Sequence, residues 1–207
     1  MIHRLEAARV RANLERVQER AGGGVEVLAA TKYVPLEEMG VLAEAGVTLV
    51  GENRLQDLEA KRRRWGDAFS WDFIGNVQSR KVKSILPQVR LIHSVASDSV
   101  LAQLGRHGDA GTEVLVEVNV AGEGSKGGIP PAELGDFVDR CPVRVAGLMT
   151  MPPFSTDPEA SRAHFGRLAE LASEHRLERL SMGTSQDWEV ALEEGATILR
   201  LGTALYA

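Results

Sequence analysis

Short apolar runs alternate with amphipathic stretches along almost the whole chain. The runs at 25–31, 47–50, 71–74, 89–95, 113–119, 143–149, 178–182 and 197–201 have the length and side-chain character of buried strands. Between them, segments near 36–45, 53–64, 78–85, 97–106, 130–138, 157–175 and 186–194 read as helices. Ahead of the first run, Met1 to about Ala21 is charged and helical in period. Val10, Leu14, Val17 and Ala21 share one face, and Gly22-Gly23-Gly24 stops the helix. Strands alternating with helices, without a break in composition, predict a parallel sheet in one domain spanning 1–207. Eight strands close a barrel, so the expected fold class is α/β: a single (β/α)8 TIM-type barrel with an extra N-terminal helix. An open doubly wound sheet is the alternative, but no Gly-x-Gly-x-x-Gly follows the first strand. Six residues follow Leu201, so no eighth helix is expected after the last strand. The N-terminal helix is expected to cover that part of the barrel.

Composition narrows the function without naming it. A chain of 207 residues with 43% apolar side chains suits one barrel and a large core. The balance of 24 basic against 29 acidic residues, a net charge of −5, argues against general affinity for nucleic acid or an anionic membrane. One cysteine, Cys141, leaves no intramolecular disulfide and no Cys-based metal cluster. No apolar run reaches the roughly 18–20 residues of a membrane span, and no signal-peptide pattern opens the chain. The expectation is a soluble, cytosolic protein.

In a barrel of this kind, chemistry gathers at the C-terminal ends of the strands. Those ends carry Lys32, Gly51-Glu52-Asn53, Gly75-Asn76, His93-Ser94, Asn119, Thr150, Ser181-Met182-Gly183-Thr184-Ser185 and Arg200-Leu201-Gly202-Thr203. Lys32 is the only lysine among them. Burial at a strand end would disfavour its charged form and leave an amine able to attack a carbonyl, of a substrate aldehyde or of pyridoxal phosphate. The plainer reading is a lysine bending out to solvent. Ser185 is placed as N-cap of the helix that follows. The glycines and hydroxyls after strands 7 and 8 suit a phosphate, although ordinary turn and cap chemistry explains them equally well. Arg200 shares a strand face with Gly202 at the inner rim. There it can donate to a pyridine nitrogen or pair with a glutamate.

Several motifs occur in order: Ala29-Ala30-Thr31-Lys32, Gly51-Glu52-Asn53, Trp71-Asp72-Phe73-Ile74-Gly75-Asn76-Val77-Gln78-Ser79-Arg80-Lys81, Ile92-His93-Ser94-Val95, Val118-Asn119-Val120, Ser125-Lys126-Gly127-Gly128, Gly147-Leu148-Met149-Thr150, Leu180-Ser181-Met182-Gly183 and Arg200-Leu201-Gly202-Thr203. With these the chain resembles, over essentially its whole length, the pyridoxal phosphate homeostasis proteins, which are similar to the N-terminal barrel of alanine racemase. The resemblance implies pyridoxal 5′-phosphate as cofactor, with Lys32 forming the Schiff base and Arg200 facing the pyridine nitrogen. It also implies that Ser181 or Ser185, with Gly202 and Thr203, holds the phosphate, and that Asn53 and Asn76 line the cofactor face. Two positions depart from the family pattern. Val34 stands where a second lysine is common, and Asp72 stands where the family has histidine.

Alanine racemase takes its second base, a tyrosine, from an additional β-domain that 207 residues cannot hold. The tyrosines here are Tyr33 and Tyr206. The expected function is therefore a carrier or buffer of pyridoxal phosphate in intracellular homeostasis, affecting amino-acid and keto-acid metabolism. Weak racemase or transaminase-like activity is the alternative, and a phosphate-sugar Schiff-base lyase a distant third. Apo-enzymes that receive the cofactor are expected partners, and a monomer is the expected state. Lys61-Arg62-Arg63-Arg64 reads as a solvated helix end, Lys126 as a lysine in water, and His164 as a helix residue without a role.

Overall fold

A computed structural model describes residues 5–124 and 127–207. Lys126 lies outside these residues. Eight parallel strands close in chain order: β1 Glu26–Ala30, β2 Leu49–Glu52, β3 Ser70–Phe73, β4 Leu91–Val95, β5 Glu113–Glu117, β6 Arg144–Met149, β7 Arg179–Ser181 and β8 Ile198–Leu201. Each expected apolar run overlaps one of them, with β2 running two residues past its run and β3 starting one residue before its own. Nine α-helical segments are described: α1 Ala7–Ala21, α2 Met39–Glu44, α3 Leu55–Trp65, α4 Val82–Ile85, α5 Asp98–His107, α6 Leu134–Asp139, α7 Arg162–Glu174, α8 Trp188–Glu193 and α9 Thr203–Tyr206.

The strand periodicity of two sorts side chains to the two faces of the sheet. Leu28, Leu49, Leu91, Leu115, Ala146, Met149 and Ile198 form a separate cluster inside the barrel. Their neighbours in sequence, including Ala29, Val50, Ile92, Val114, Val116 and Leu199, join the larger core beneath the helices. The interior is tight: a Cβ on Gly51 would sit 2.5 Å from Leu28 Cδ2. Glycine is required again at Gly183, where φ is +87° and a Cβ would lie 2.6 Å from that of Ala191.

Helix α1 buries Val10, Leu14 and Val17 and ends at Gly22, with φ +71°, whose N–H donates to Gln18 O. It packs on α9, and Asn13 Nδ2 donates to the carbonyls of Leu205 and Ala207 at 3.1 and 3.0 Å. The expected cover by the N-terminal helix is thus present. The expectation of no helix after β8 needs correcting. Four residues suffice for one turn, α9, because side-chain groups of Ser185 and Asn13 satisfy its two ends.

The basic run in α3 also needs correcting. Lys61 is buried and paired with Glu52 rather than solvated, because α3 turns it inward beside Leu58. Arg62, Arg63 and Arg64 do occupy the last turn of α3. Among the described residues no helix is long and apolar enough to cross a membrane, and no cluster of His, Cys, Asp and Glu could hold a metal ion.

Candidate functional site

A cleft of about 310 Å3 opens at the C-terminal ends of β8 and β1, lined by residues of both strand ends and of the β7–α8 loop. Lys32, Ser185, Arg200, Gly202 and Thr203 all line it. Of the expected site, the residues after β1 and β8 and in the β7–α8 loop meet on one side of the barrel mouth. Asn53 and Asn76 sit in the loops after β2 and β3, half-buried and exposed respectively, outside the residues that line this cleft. A further hollow of about 550 Å3, lined by Lys83, Arg90 and Glu113 among others, lies at the opposite end of the barrel. It contains none of the expected site residues.

Lys32 is exposed. Strand β1 stops at Ala30, and the chain turns at once, with the Val34 N–H donating to Thr31 O at 2.9 Å. The side chain therefore leaves from a turn above the strand. The expectation that the lysine is buried does not hold. Its ammonium lies 4.9 Å from the centroid of the exposed Tyr33 ring.

Arg200 is the opposite case. It is 6% exposed on the inner face of β8. Nη1 donates to Ser181 Oγ at 2.5 Å; Nη2 donates to Thr150 O and lies against Met151 Sδ, both at 2.9 Å. Burial pulls its guanidinium down to about 10, against the charges of Glu117 and Asp187, so it remains cationic at neutral pH. Three of its five N–H groups are committed by these contacts, which leaves two for a ligand on the cleft floor.

The support of Arg200 continues through the barrel. Ser181 is fully buried, and its Oγ lies 2.8 Å from His93 Nδ1. His93 Nε2 lies 3.0 Å from Asp72 Oδ2, which also accepts from Arg90 Nη2 at 2.8 Å. Arg90 pairs in turn with Glu26 at the far end of the barrel. Burial pushes the Asp72 carboxyl up, but hydrogen bonds and charge from His93 and Arg90 outweigh it and hold the group below its ordinary value. Burial depresses His93, only partly opposed by Asp72, with Arg200 and Arg90 adding to the depression. A neutral imidazole facing an ionised carboxylate carries its proton on Nε2. Nδ1 must then accept from the Ser181 hydroxyl, whose oxygen accepts from Arg200. Donation runs one way: Arg200 to Ser181 to His93 to Asp72.

This places Ser181 beneath Arg200 rather than among the cleft-lining hydroxyls. Ser185 does line the cleft, and it is not the N-cap of α8. That position is Asp187, and the loop is closed by Thr184, whose N–H and Oγ1 donate to Asp187 Oδ1 at 2.7 and 3.0 Å. Ser185 Oγ instead accepts from the N–H groups of Gly202 and Ala204, each at 3.0 Å, capping α9 across the cleft. The Gly202 amide is thus spent on Ser185, while the Ser185 O–H is left to donate into the cleft. Other small polar strand ends tie backbone instead. Thr150 Oγ1 donates to Val118 O at 2.9 Å, and Ser94 Oγ donates to Gly75 O.

Strand-end reasoning named His93 without giving it a role, and it missed Asp72, the buried carboxylate beneath it. The signal for Asp72 is the alternation: Trp71 and Phe73 pack outward, so Asp72 between them points into the barrel.

The family model described as "Alanine racemase, N-terminal domain" matches residues 5–207. A pyridoxal phosphate homeostasis protein of Aquifex aeolicus is 41% identical over 213 residues, covering 93% of each chain. The chain belongs to the pyridoxal phosphate homeostasis protein family. A Pseudomonas aeruginosa member is 36% identical, over 96% of this chain and 92% of its own. The structure of PipY from Synechococcus elongatus with pyridoxal phosphate bound superposes with a TM-score of 0.83 at 29% identity, over 96% of this chain and 100% of that one. Alanine racemase of Corynebacterium glutamicum, 15% identical with a TM-score of 0.77, shares the fold over 62% of its length.

Proposed function

We propose that the protein binds pyridoxal 5′-phosphate and acts in intracellular, cytosolic homeostasis of that cofactor, as a carrier or buffer. The observation that carries the reading is the cleft itself. One primary amine, one buried guanidinium and the hydroxyls of Ser185 and Thr203 line a space of about 310 Å3, at the lower end of ordinary ligand pockets. The donor set fits a small anionic aldehyde with a ring acceptor. When bound, the cofactor supplies an aldehyde that condenses reversibly with a primary amine.

The chain's own residues divide the work. Lys32 supplies the amine from the exposed turn. Arg200 would offer a spare N–H group to the ring nitrogen. As a permanent cation it leaves that nitrogen unprotonated, which weakens the ring as an electron sink. Ser185 and Thr203, beside the first turn of α9, would hold the phosphate through their hydroxyls.

The racemase alternative needs a second base. Tyr206 lines the cleft, but its hydroxyl donates to Ala30 O at 3.2 Å. Burial and the Glu52 charge push its phenol far above the usual range, so it is no base at neutral pH. This supports carrying over turnover. The homeostasis relatives and ligand-bound PipY support the same reading, and apo-enzymes that accept the cofactor are its natural partners.

Purified protein mixed with pyridoxal phosphate should turn yellow, and borohydride should fix one adduct at Lys32. Lys32→Ala should lose both colour and adduct. A wild-type chain that gains no chromophore would sink the reading. Deuterium exchange at the α-carbon of alanine or serine, if faster than with free cofactor, would favour the enzymatic alternative.

A further inference from the structure

Thr31, the residue immediately before Lys32, is held through every polar group it has. Its N–H donates to Gly51 O at 3.0 Å, and its Oγ1 lies 2.6 Å from Glu52 Oε1 and 3.2 Å from Gly51 O. Its carbonyl accepts from Lys61 Nζ at 2.7 Å as well as from the Val34 N–H. Lys61 Nζ also lies 2.5 Å from Glu52 Oε1. The Glu52 side chain is fully buried and that of Lys61 is 7% exposed. Glu52 Oε2 has no hydrogen-bond partner.

Stability does not account for this arrangement. Replacing a buried ion pair by apolar groups of similar volume is often neutral or stabilising, and an unpaired buried oxygen adds a further penalty. What the pair does accomplish is local. Strand β1 ends at Ala30, the Thr31 N–H makes a last bond to β2 at Gly51 O, and Lys61 reaches across from α3 to pin the last carbonyl before Lys32. Tyr206 pins the preceding one, at Ala30 O. The backbone of the lysine is therefore immobilised while its side chain stays free.

We propose that the buried Glu52–Lys61 pair is the positioning unit of Lys32. It fixes the direction in which the amine leaves the turn, so that Nζ meets an aldehyde carbon held in the cleft. This rests on the cofactor reading above. In the step concerned, Lys32 Nζ forms a bond to the aldehyde carbon, and the carbonyl oxygen departs as water with both amine protons. Glu52 and Lys61 act through Thr31 and touch no ligand.

The full-length double variant Glu52→Gln/Lys61→Met keeps the volume, keeps an acceptor for Thr31, and removes both the charges and the bond to the Thr31 carbonyl. Three readouts are compared with wild type: the rate of borohydride-trapped attachment of pyridoxal phosphate to Lys32, the Kd for pyridoxamine 5′-phosphate, and the thermal midpoint. Pyridoxamine phosphate has the ring and phosphate but no aldehyde. Trapping is expected to slow at least ten-fold, with the pyridoxamine phosphate Kd within two-fold and the midpoint little changed. Unchanged trapping, or an equal loss with both ligands, overturns the positioning role. If the double variant does not fold, Thr31→Val, nearly isosteric, deletes the hydroxyl contacts to Glu52 and Gly51 O and leaves the Lys61 bond to the residue 31 carbonyl in place. It should slow trapping about three-fold without altering pyridoxamine phosphate binding, and no slowing overturns the proposal. A wild-type chain that traps no pyridoxal phosphate overturns the cofactor reading and this one together. Normal wild-type trapping with an unaffected variant overturns the positioning alone.

Discussion

Arg200 and Lys32 stand on paired strands, β8 and β1, and line the same cleft, yet the fold treats them in opposite ways. Arg200 faces the barrel axis, buried, with Ser181, Thr150 and Met151 around its guanidinium and a hydrogen-bonded chain running beneath it to Asp72. Lys32 stands past the end of its strand, with its ammonium in solvent over Tyr33. One cation is a fixed part of the interior, and the other is a free arm on a fixed turn. For a cofactor carrier the difference is useful. Ring recognition needs a donor whose orientation is set before binding, whereas reversible capture and release of an aldehyde need an amine that solvent and partner molecules can reach.

The contrast makes measurable predictions for the unliganded chain. The largest effect belongs to Arg200→Ala, which takes the guanidinium donor from Thr150 O and leaves Ser181 Oγ with His93 as its remaining partner. At about 1–3 kcal/mol for each buried group that loses its charged donor, urea denaturation should show a loss of about 3 kcal/mol or more. Ser181→Ala comes next, since it removes the shared partner of His93 and Arg200 and should lower stability by about 1–3 kcal/mol. A loss below half a kcal/mol in either variant would mean that the chain does not brace the cleft floor.

Acid provides a third probe of the same interior. His93 is held below its usual value, so below about pH 6.5 the unfolded imidazole binds a proton that the folded one refuses. Asp72 is also depressed, so its contribution is present above the ordinary carboxylate range and is lost as pH falls through its folded value. Both signs agree. Stability should decline as pH falls from about 6.5, by at most about 1.4 kcal/mol per unit for each proton taken up. His93→Gln should flatten the decline between pH 6.5 and 5. An unchanged slope in that variant would remove His93 as its source. The smallest effect should come from Lys32→Ala: an exposed side chain without hydrogen bonds should cost less than about 0.5 kcal/mol. A larger loss would break the comparison by showing that the arm is structural after all.

The alternation of elements was legible because parallel strands buried on both faces read as continuous apolar runs, and each such run overlaps one of the eight strands. The same continuity concealed the interior. Asp72 sits among Trp71, Phe73 and Ile74, and His93 among Leu91, Ile92 and Val95, so each looks like an interruption of a strand rather than a member of a layer. Lys61 was hidden in another way: three arginines follow it, and only the helical phase against β2 turns it inward to Glu52. Ser185 looked like a local cap because sequence shows only local partners. Its actual partners, Gly202 and Ala204, lie 17 and 19 residues away.

The sequence by itself determined the family, the barrel and the cast of Lys32, Ser185, Arg200, Gly202 and Thr203. Spacing and residue type suffice when the signal is hydrophobic period or an ordered set of motifs. Only the tertiary structure decided how each side chain is used. Lys32 is a solvent-facing arm, Ser181 a brace below Arg200, and the Ser185 hydroxyl the acceptor for the amides of α9. Those roles depend on burial and on partners brought together by barrel closure, which places β8 beside β1 across more than 160 residues of chain. Contacts of that range leave no period in the sequence.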